Sequence, residues 1–224
     1  MTGPAGDELA RKAGELMLAH HGDRPLLLPN AWDVASALAV SNAGFPVVAT
    51  SSRAIAQVLG EADDDSSDPD LLFSYTSRIV RAVTVPVTAD LQAGFRLSPA
   101  ELVDRLLDAG LVGCNLEDTD HHGDSVLLDP DRQASYLADV RAAAARRGVH
   151  IVVNARVDTF VRQFGDQTAR VDEAVRRARL YLQAGADCAY PIAVSSAEDA
   201  GALVAAVPGP LNLLARRGGL SIDA

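Results

Sequence analysis

Seven short apolar runs alternate along this chain with segments patterned as helices, and that alternation sets the class of fold. The runs are "LLLPN" (26–30), "PVVATSS" (46–52), "VPVTADL" (85–91), "LVGCNLED" (111–118), "IVVNARVD" (151–158), "CAYPIA" (188–193) and "LNLLA" (211–215). Continuous apolar runs suit strands covered on both faces, and helices between them are the crossovers that parallel strands need. The pattern predicts βα units and a parallel sheet in a single domain spanning 1–224.

The joints carry matching punctuation. Ser98-Pro99-Ala100-Glu101 offers an N-cap, a proline at the first helical position and a capping-box glutamate; Asp68-Pro69 and Asp129-Pro130 start helices the same way. Ala-Gly recurs at 43–44, 109–110 and 184–185, just before a strand each time. A glycine there suits the left-handed residue that ends a helix. No G-x-G-x-x-G follows the first run, which removes the main pointer to a dinucleotide-binding sheet. A (β/α)8 barrel of the TIM type is therefore expected. Such barrels take about 250 residues, and after "LNLLA" the chain offers no eighth strand, so the barrel is expected to lack that strand and its C-terminal helices.

Composition excludes several function classes. The formal net charge of −10 argues against a nucleic-acid partner and against an anionic membrane surface. No apolar run reaches the roughly 18 residues of a membrane span, and the first residues lack the apolar core of a signal peptide. Cys114 and Cys188 both lie in apolar runs, where cysteine packs as a small hydrophobe; a reducing cytoplasm is expected.

In a TIM-type barrel the chemistry sits at the C-terminal ends of the strands. Here five successive runs begin apolar and end polar: Asn30, Trp32 and Asp33; Thr50, Ser51 and Ser52; Asp90 and Gln92; Asn115, Glu117 and Asp118; Asn154, Arg156 and Asp158. Burying a carboxylate is costly without a partner. Asp90 is not needed as a helix cap, because Ser98 serves the next helix, and on adjacent strands Asp90 and Glu117 would repel unless a cation lay between them. Mg2+ takes one or two carboxylates, keeps waters and accepts substrate oxygens. Arg156 can bind a substrate carboxylate or phosphonate in two-pronged fashion, or simply neutralise the acids. Ser51, Ser52 and the following backbone N–H groups can hold an anionic oxygen, or cap a helix. Asp33 and Asp118 read equally well as caps or ion-pair partners, and Asp158 as a brace for Arg156.

Two stretches look like metal sites and are rejected. Counted from Asp63, "GEADDDSSDPDLL" has Asp68 where an EF-hand needs glycine and Ser74 where it needs glutamate. It reads as a solvated loop with a helix cap, one of whose carboxylates can reach the waters of a metal. Adjacent His121 and His122 face apart and have no spaced partner for zinc, so "DTDHHGD" reads as a lid.

"NAWD", "ATSS", "VPVTADLQAGF", "GCNLED" and "NARVDTF", in this order over nearly the whole chain, resemble the isocitrate lyase/phosphoenolpyruvate mutase superfamily. The resemblance implies a (β/α)8 barrel, usually homotetrameric with a C-terminal helix exchanged between subunits. It also implies Mg2+ with a 2-oxo acid or enolate-like ligand at the mouth, and C–C cleavage or C–P rearrangement through an enolate. By motif, Asp90 becomes the principal metal carboxylate, Asp63 acts through metal-bound water, and Glu117 completes the outer shell. Ser51, Ser52 and the Arg53 backbone receive an enolate or carboxylate oxygen. Trp32 and Asp33 shape the pocket, with Asn154 beside Arg156, and Arg156 clamps the anionic end.

Three departures stand out. Gln92 replaces a second carboxylate, "GFR" replaces Gly-Tyr-Gly, and "TDHHGDSVL" has neither the lyases' Lys/Cys element nor the mutases' Pro-Lys-Thr-Asn. His121 or His122 is then the candidate acid. The leading reading is a Mg2+-dependent carbon–carbon lyase acting on a small 2-oxo or 2-hydroxy acid. The alternatives are a C–P mutase or phosphonate-processing enzyme, and a catalytically silent carboxylate-binding barrel.

Overall fold

A computed structural model describes residues 4–64, 67–121, 126–216 and 219–220. Its single sheet has six parallel strands side by side in chain order: β1 (Asn30–Ala31), β2 (Val48–Thr50), β3 (Val87–Asp90), β4 (Gly113–Glu117), β5 (Val152–Val157) and β6 (Cys188–Pro191). The described helices are α1 (Pro4–His20), α2 (Val34–Asn42), α3 (Ser52–Leu59), α4 (Pro69–Ala82), α5 (Pro99–Asp108), α6 (Pro130–Arg147), α7 (Gln167–Gln183) and α8 (Ala197–Ala206). This is the α/β architecture of the TIM type that the alternation predicts.

The helix starts follow from their caps. Asp68, Ser98 and Asp129 each accept a backbone N–H of the first turn, and each is followed by proline. The Ala-Gly joints end α2, α5 and α7, with Gly44, Gly110 and Gly185 at φ of 87°, 82° and 102°. Leu102, Val103, Leu106 and Leu107 of α5 all face inward. Removing each from water contributes roughly 1.5–3 kcal/mol.

Every strand is shorter than its apolar run, and the first and seventh are cut back furthest. Only Asn30 and Ala31 of the first run pair with β2. The seventh run makes a single parallel bridge, Leu211 to Ala189, fixed by Ala189 N–H donating to Pro210 O at 3.0 Å and Asn212 N–H to Ala189 O at 2.9 Å. The physical reason is a missing neighbour. Leu26–Leu28 and Leu211–Leu213 face each other across a groove of about 670 Å3, and among the described residues no strand fills it.

α1 closes the opposite end of the barrel from the polar strand ends, where it packs against β5. Leu16 is fully buried there, and a Cβ on Gly113 would lie 2.6 Å from its Cδ2 and 2.9 Å from Thr88 Oγ1. Position 113 has room only for hydrogen, so the first residue of β4 lets α1 plug the floor.

Candidate active site

Register brings the polar strand ends into tiers. Asp90 lies beside Asn115 and Asn115 beside Asn154; one tier further along, Glu117 lies beside Arg156 and Arg156 beside Tyr190. Successive residues of a strand point to opposite faces, so residues two apart share one. Asp90 and Arg156 are close enough to perturb the ionisation of both Glu117 and Tyr190.

Asp90 is half-buried and asymmetrically held. Its Oδ2 accepts the Ser52 hydroxyl at 2.8 Å and the Ser52 N–H at 3.4 Å, and its own N–H donates to Thr50 Oγ1 at 3.3 Å. Its Oδ1 is buried with no hydrogen-bond partner. Ser51 caps α3 through its hydroxyl, which accepts the Ala54 N–H at 3.3 Å. The serine pair is thus divided between a helix cap and the carboxylate.

Glu117 is 2% exposed. Its Oε1 meets His121 Nε2, and its Oε2 lies 2.5 Å from Arg156 Nη1 without the alignment of a hydrogen bond. Burial pushes the Glu117 carboxyl above its ordinary range, opposed by His121 and Arg156. Burial also works against the charge on Arg156, but Glu117 and Asp158 outweigh it and hold the guanidinium above its ordinary value. Asp158 takes Arg156 Nε at 2.7 Å and Nη2 at 3.1 Å, which is the bracing role its position suggests. Burial raises the Tyr190 phenol to about 12, against the pull of Arg156.

Other expected residues sit nearby with local duties. Asp63 accepts from Gln92 Nε2 at 3.1 Å and pairs with Arg53 Nε at 3.4 Å. Asn154 donates to Asn115 Oδ1 at 2.8 Å. Asp33 forms a reciprocal capping box with Ser36 at the start of α2, and those hydrogen bonds hold its carboxyl below the ordinary range. Trp32 is exposed beside it. Asp118 points the other way, into a buried pair with Arg177 at 2.9 Å. His122 lies outside the described residues. On either side of residues 122–125, Thr119 bridges Leu127 antiparallel and Asp120 N–H donates to Val126 O at 2.8 Å. Tyr190 was missed because the strand-end reading stopped at the fifth run; applied to "CAYP", the same rule finds it.

The loop from Leu91 to Ser98 is strained. Gln92, Phe95 and Arg96 all have φ between 52° and 56°. Each left-handed non-glycine residue costs on the order of 1 kcal/mol, and such positions cluster at functional sites.

A family model described as phosphoenolpyruvate phosphomutase matches residues 16–224. The chain belongs to this family. It is thereby a member of the isocitrate lyase/phosphoenolpyruvate mutase superfamily of lyases and mutases. A 2-methylisocitrate lyase from Aeropyrum pernix is 31% identical over 195 residues, which cover 83% of this chain and 60% of that protein. A Burkholderia cenocepacia structure, assigned provisionally to the phosphonomutases, is 34% identical with a TM-score of 0.83, covering 92% of this chain and 83% of that one. A phosphonopyruvate hydrolase solved with oxalate and Mg2+ is 25% identical with a TM-score of 0.78, over 90% of this chain and 70% of its own.

Members of this superfamily work with a divalent cation, and the residues here can be tested for fit. Among the described residues, no three His, Cys, Asp or Glu side chains are grouped to hold a metal by themselves. The rim nevertheless carries four buried oxygens without hydrogen-bond partners: Asp90 Oδ1, Gln92 Oε1, Glu117 Oε2 and Asn154 Oδ1. All are hard acceptors, the donor type that suits a cation keeping several waters. The set fits Mg2+ better than zinc, which wants nitrogen or sulfur.

Proposed function

We propose that this chain is a Mg2+-dependent lyase that breaks a C–C bond in a small 2-oxo or 2-hydroxy carboxylic acid through an enolate of the substrate. The observation that carries this reading is three buried acceptor oxygens without a partner, Asp90 Oδ1, Gln92 Oε1 and Asn154 Oδ1, at strand ends shared with a charged Arg156 that contacts Glu117 Oε2. Folding alone gives no reason to bury such oxygens unmatched.

Asp90, with Asp63 and Glu117 in support, would hold the ion. Mg2+ supplies Lewis-acid stabilisation of the negative charge that develops on substrate oxygen. The Ser52 hydroxyl, which donates to Asp90 Oδ2, fixes the direction of the other carboxylate oxygen. Arg156 keeps N–H groups beyond its bonds to Asp158, and these bind the substrate carboxylate. Asn154 and the backbone at Ser51 to Arg53 orient the reacting oxygen, and Trp32 and Asp33 line the entrance. His121, hydrogen-bonded to Glu117, would return a proton to carbon once the bond has broken; His122 is the alternative donor.

Thermal shift with Mg2+, oxalate and both together tests the site. Stabilisation is expected only with both, and Asp90→Ala is expected to remove it. Metal dependence that survives Asp90→Ala sinks the assignment. NMR of a panel of 2-hydroxy acids and phosphonates then separates C–C cleavage from the C–P alternative. Gln92 in place of a carboxylate favours a second reading, a silent carboxylate-binding barrel; that barrel would show the thermal response without turnover. Carried with the leading reading are a homotetramer, checked by sedimentation, and a cytoplasmic location. No described helix is long and apolar enough to cross a membrane.

A further inference from the structure

We infer that the cleft beside His121 is a second carboxylate-binding pocket, built on Arg96 and Arg132. The cavity has a volume of about 490 Å3 and opens between the strained loop after β3 and the first turns of α6. Arg96, Arg132, His121, Gln133, Tyr136 and Asp120 are among its walls. A space of this size accommodates a small organic acid.

The two arginines bring positive charge to the cleft wall. The chain has 30 acidic against 20 basic residues, and Arg105, Arg141, Arg147, Arg156 and Arg177 each pair with a carboxylate. Neither Arg96 nor Arg132 makes an ion pair among the described residues, although they come from different elements and face one cavity. Among the described residues Asp120 is the one acidic residue lining it, against two guanidinium groups. Two planar forks suit a carboxylate, which each can grip through paired N–H donors.

The backbone is shaped to present them. Arg96 stands at φ 56°, where glycine would sit without strain, and its exposed side chain lies at the cleft wall. Two residues earlier, a Cβ on Gly94 would lie 2.7 Å from the Tyr136 hydroxyl, which donates to Leu97 O at 3.2 Å, so the loop is seated tightly on α6. Buried Gln133 donates to Glu117 O at 3.2 Å, and His121 meets the Glu117 side chain, so the pocket adjoins the rim already described. A carboxylate held there is either the distal arm of a polycarboxylic substrate or a separate small acid.

Calorimetric titration of the full chain with succinate, without metal and at low ionic strength, tests the pocket. One-site binding is expected, weakened by about tenfold or more in Arg96→Gly and in Arg132→Gln, as suits loss of a charged hydrogen bond. Arg96→Gly is expected to melt no lower than the parent, because glycine relieves the left-handed strain. Arg146→Gln, an exposed change away from the cleft, controls for net charge and is expected to bind succinate normally. Wild-type protein that ignores succinate, or binding that Arg96→Gly leaves intact, overturns the proposal. So does a joint loss of the succinate and Mg2+–oxalate responses in Arg96→Gly, which would mark a collapse of the whole rim. Succinate competing with Mg2+–oxalate identifies a distal arm, and simultaneous binding identifies a separate acid; both support the pocket. A wild-type chain that binds succinate but never Mg2+–oxalate keeps the pocket and refutes only the lyase reading.

Discussion

Glu117 and Asp118 are neighbours in sequence, both buried carboxylates at the end of β4, and the chain treats them oppositely. Asp118 turns outward, where three donors saturate it: the Asp158 N–H at 2.8 Å, the Tyr181 hydroxyl at 2.8 Å and Arg177 Nη1 at 2.9 Å. Glu117 turns inward and keeps one oxygen without a directed hydrogen bond, among other unmatched acceptors. The outer carboxylate is matched by folding itself and ties β4 and β5 to α7. The inner one is left for something that arrives later. Burial of charge therefore marks function here only where the hydrogen-bond account does not close.

The largest effect expected from this division belongs to Asp118→Asn. Removing the charge leaves Arg177, which is only 4% exposed, with Glu173 at 2.7 Å as its remaining carboxylate. Breaking one side of a buried pair costs about 3–5 kcal/mol, an upper bound here because Glu173 remains, and measurable as a lower urea midpoint. At temperatures where the variant stays folded, its response to Mg2+ with oxalate is expected to persist. A variant of unchanged stability, or one folded but unresponsive, would erase the distinction between the two faces.

A second comparison sets the rim against the floor, where the account closes as it does around Asp118. Arg141 donates to Gly185 O at 3.1 Å, Ile151 O at 2.9 Å and Asp187 Oδ2 at 2.5 Å, while Asp187 also accepts from Val153 N–H and meets His150. The tightest packing is at Gly113. Gly113→Ala is expected to cost about 1–3 kcal/mol by overpacking, since the added methyl meets Leu16, Thr88 and the fixed carbonyl of Val152 at 3.1 Å. In a Leu16→Ala background the penalty is expected to shrink, which a double-mutant cycle in urea reads directly. Full additivity would mean that the floor is not plugged as described.

What the sequence made legible was local or periodic. Pro69, Pro99 and Pro130 announced their helices because cap and proline act within one turn. Asp90 and Glu117 were found because strand ends gather at one rim in this architecture. Pairing across the chain was beyond such reading. Nothing near Asp118 foretells Arg177, 59 residues away, and nothing in "LNLLA" shows that its outer neighbour is a groove. Leu16 reads as any apolar helix residue until Gly113 is seen beneath it. Asp33 and Ser51 were legible as residues with two possible uses. The structure shows the capping use for both, and a cap can still face a ligand.

The smallest effect expected is the most specific to the inner face. Burial raises the folded-state pKa of Glu117 above its ordinary value of 4.5, against the pull of His121 and Arg156. Between the ordinary value and the raised one, the native state holds a proton that the unfolded chain has released, so stability falls as pH rises. Glutamine at this position does not titrate. Measured by urea unfolding in metal-free buffer, wild type is therefore expected to gain on Glu117→Gln as pH falls from neutrality toward 4.5, with the difference levelling below that. Asp158 remains to neutralise Arg156 in both proteins, and repeating the comparison in a His121→Gln background removes the imidazole that meets Glu117. Wild type losing ground to the variant on acidification would mean that Arg156 and His121 already satisfy Glu117, and that the inner face is as well matched as the outer one.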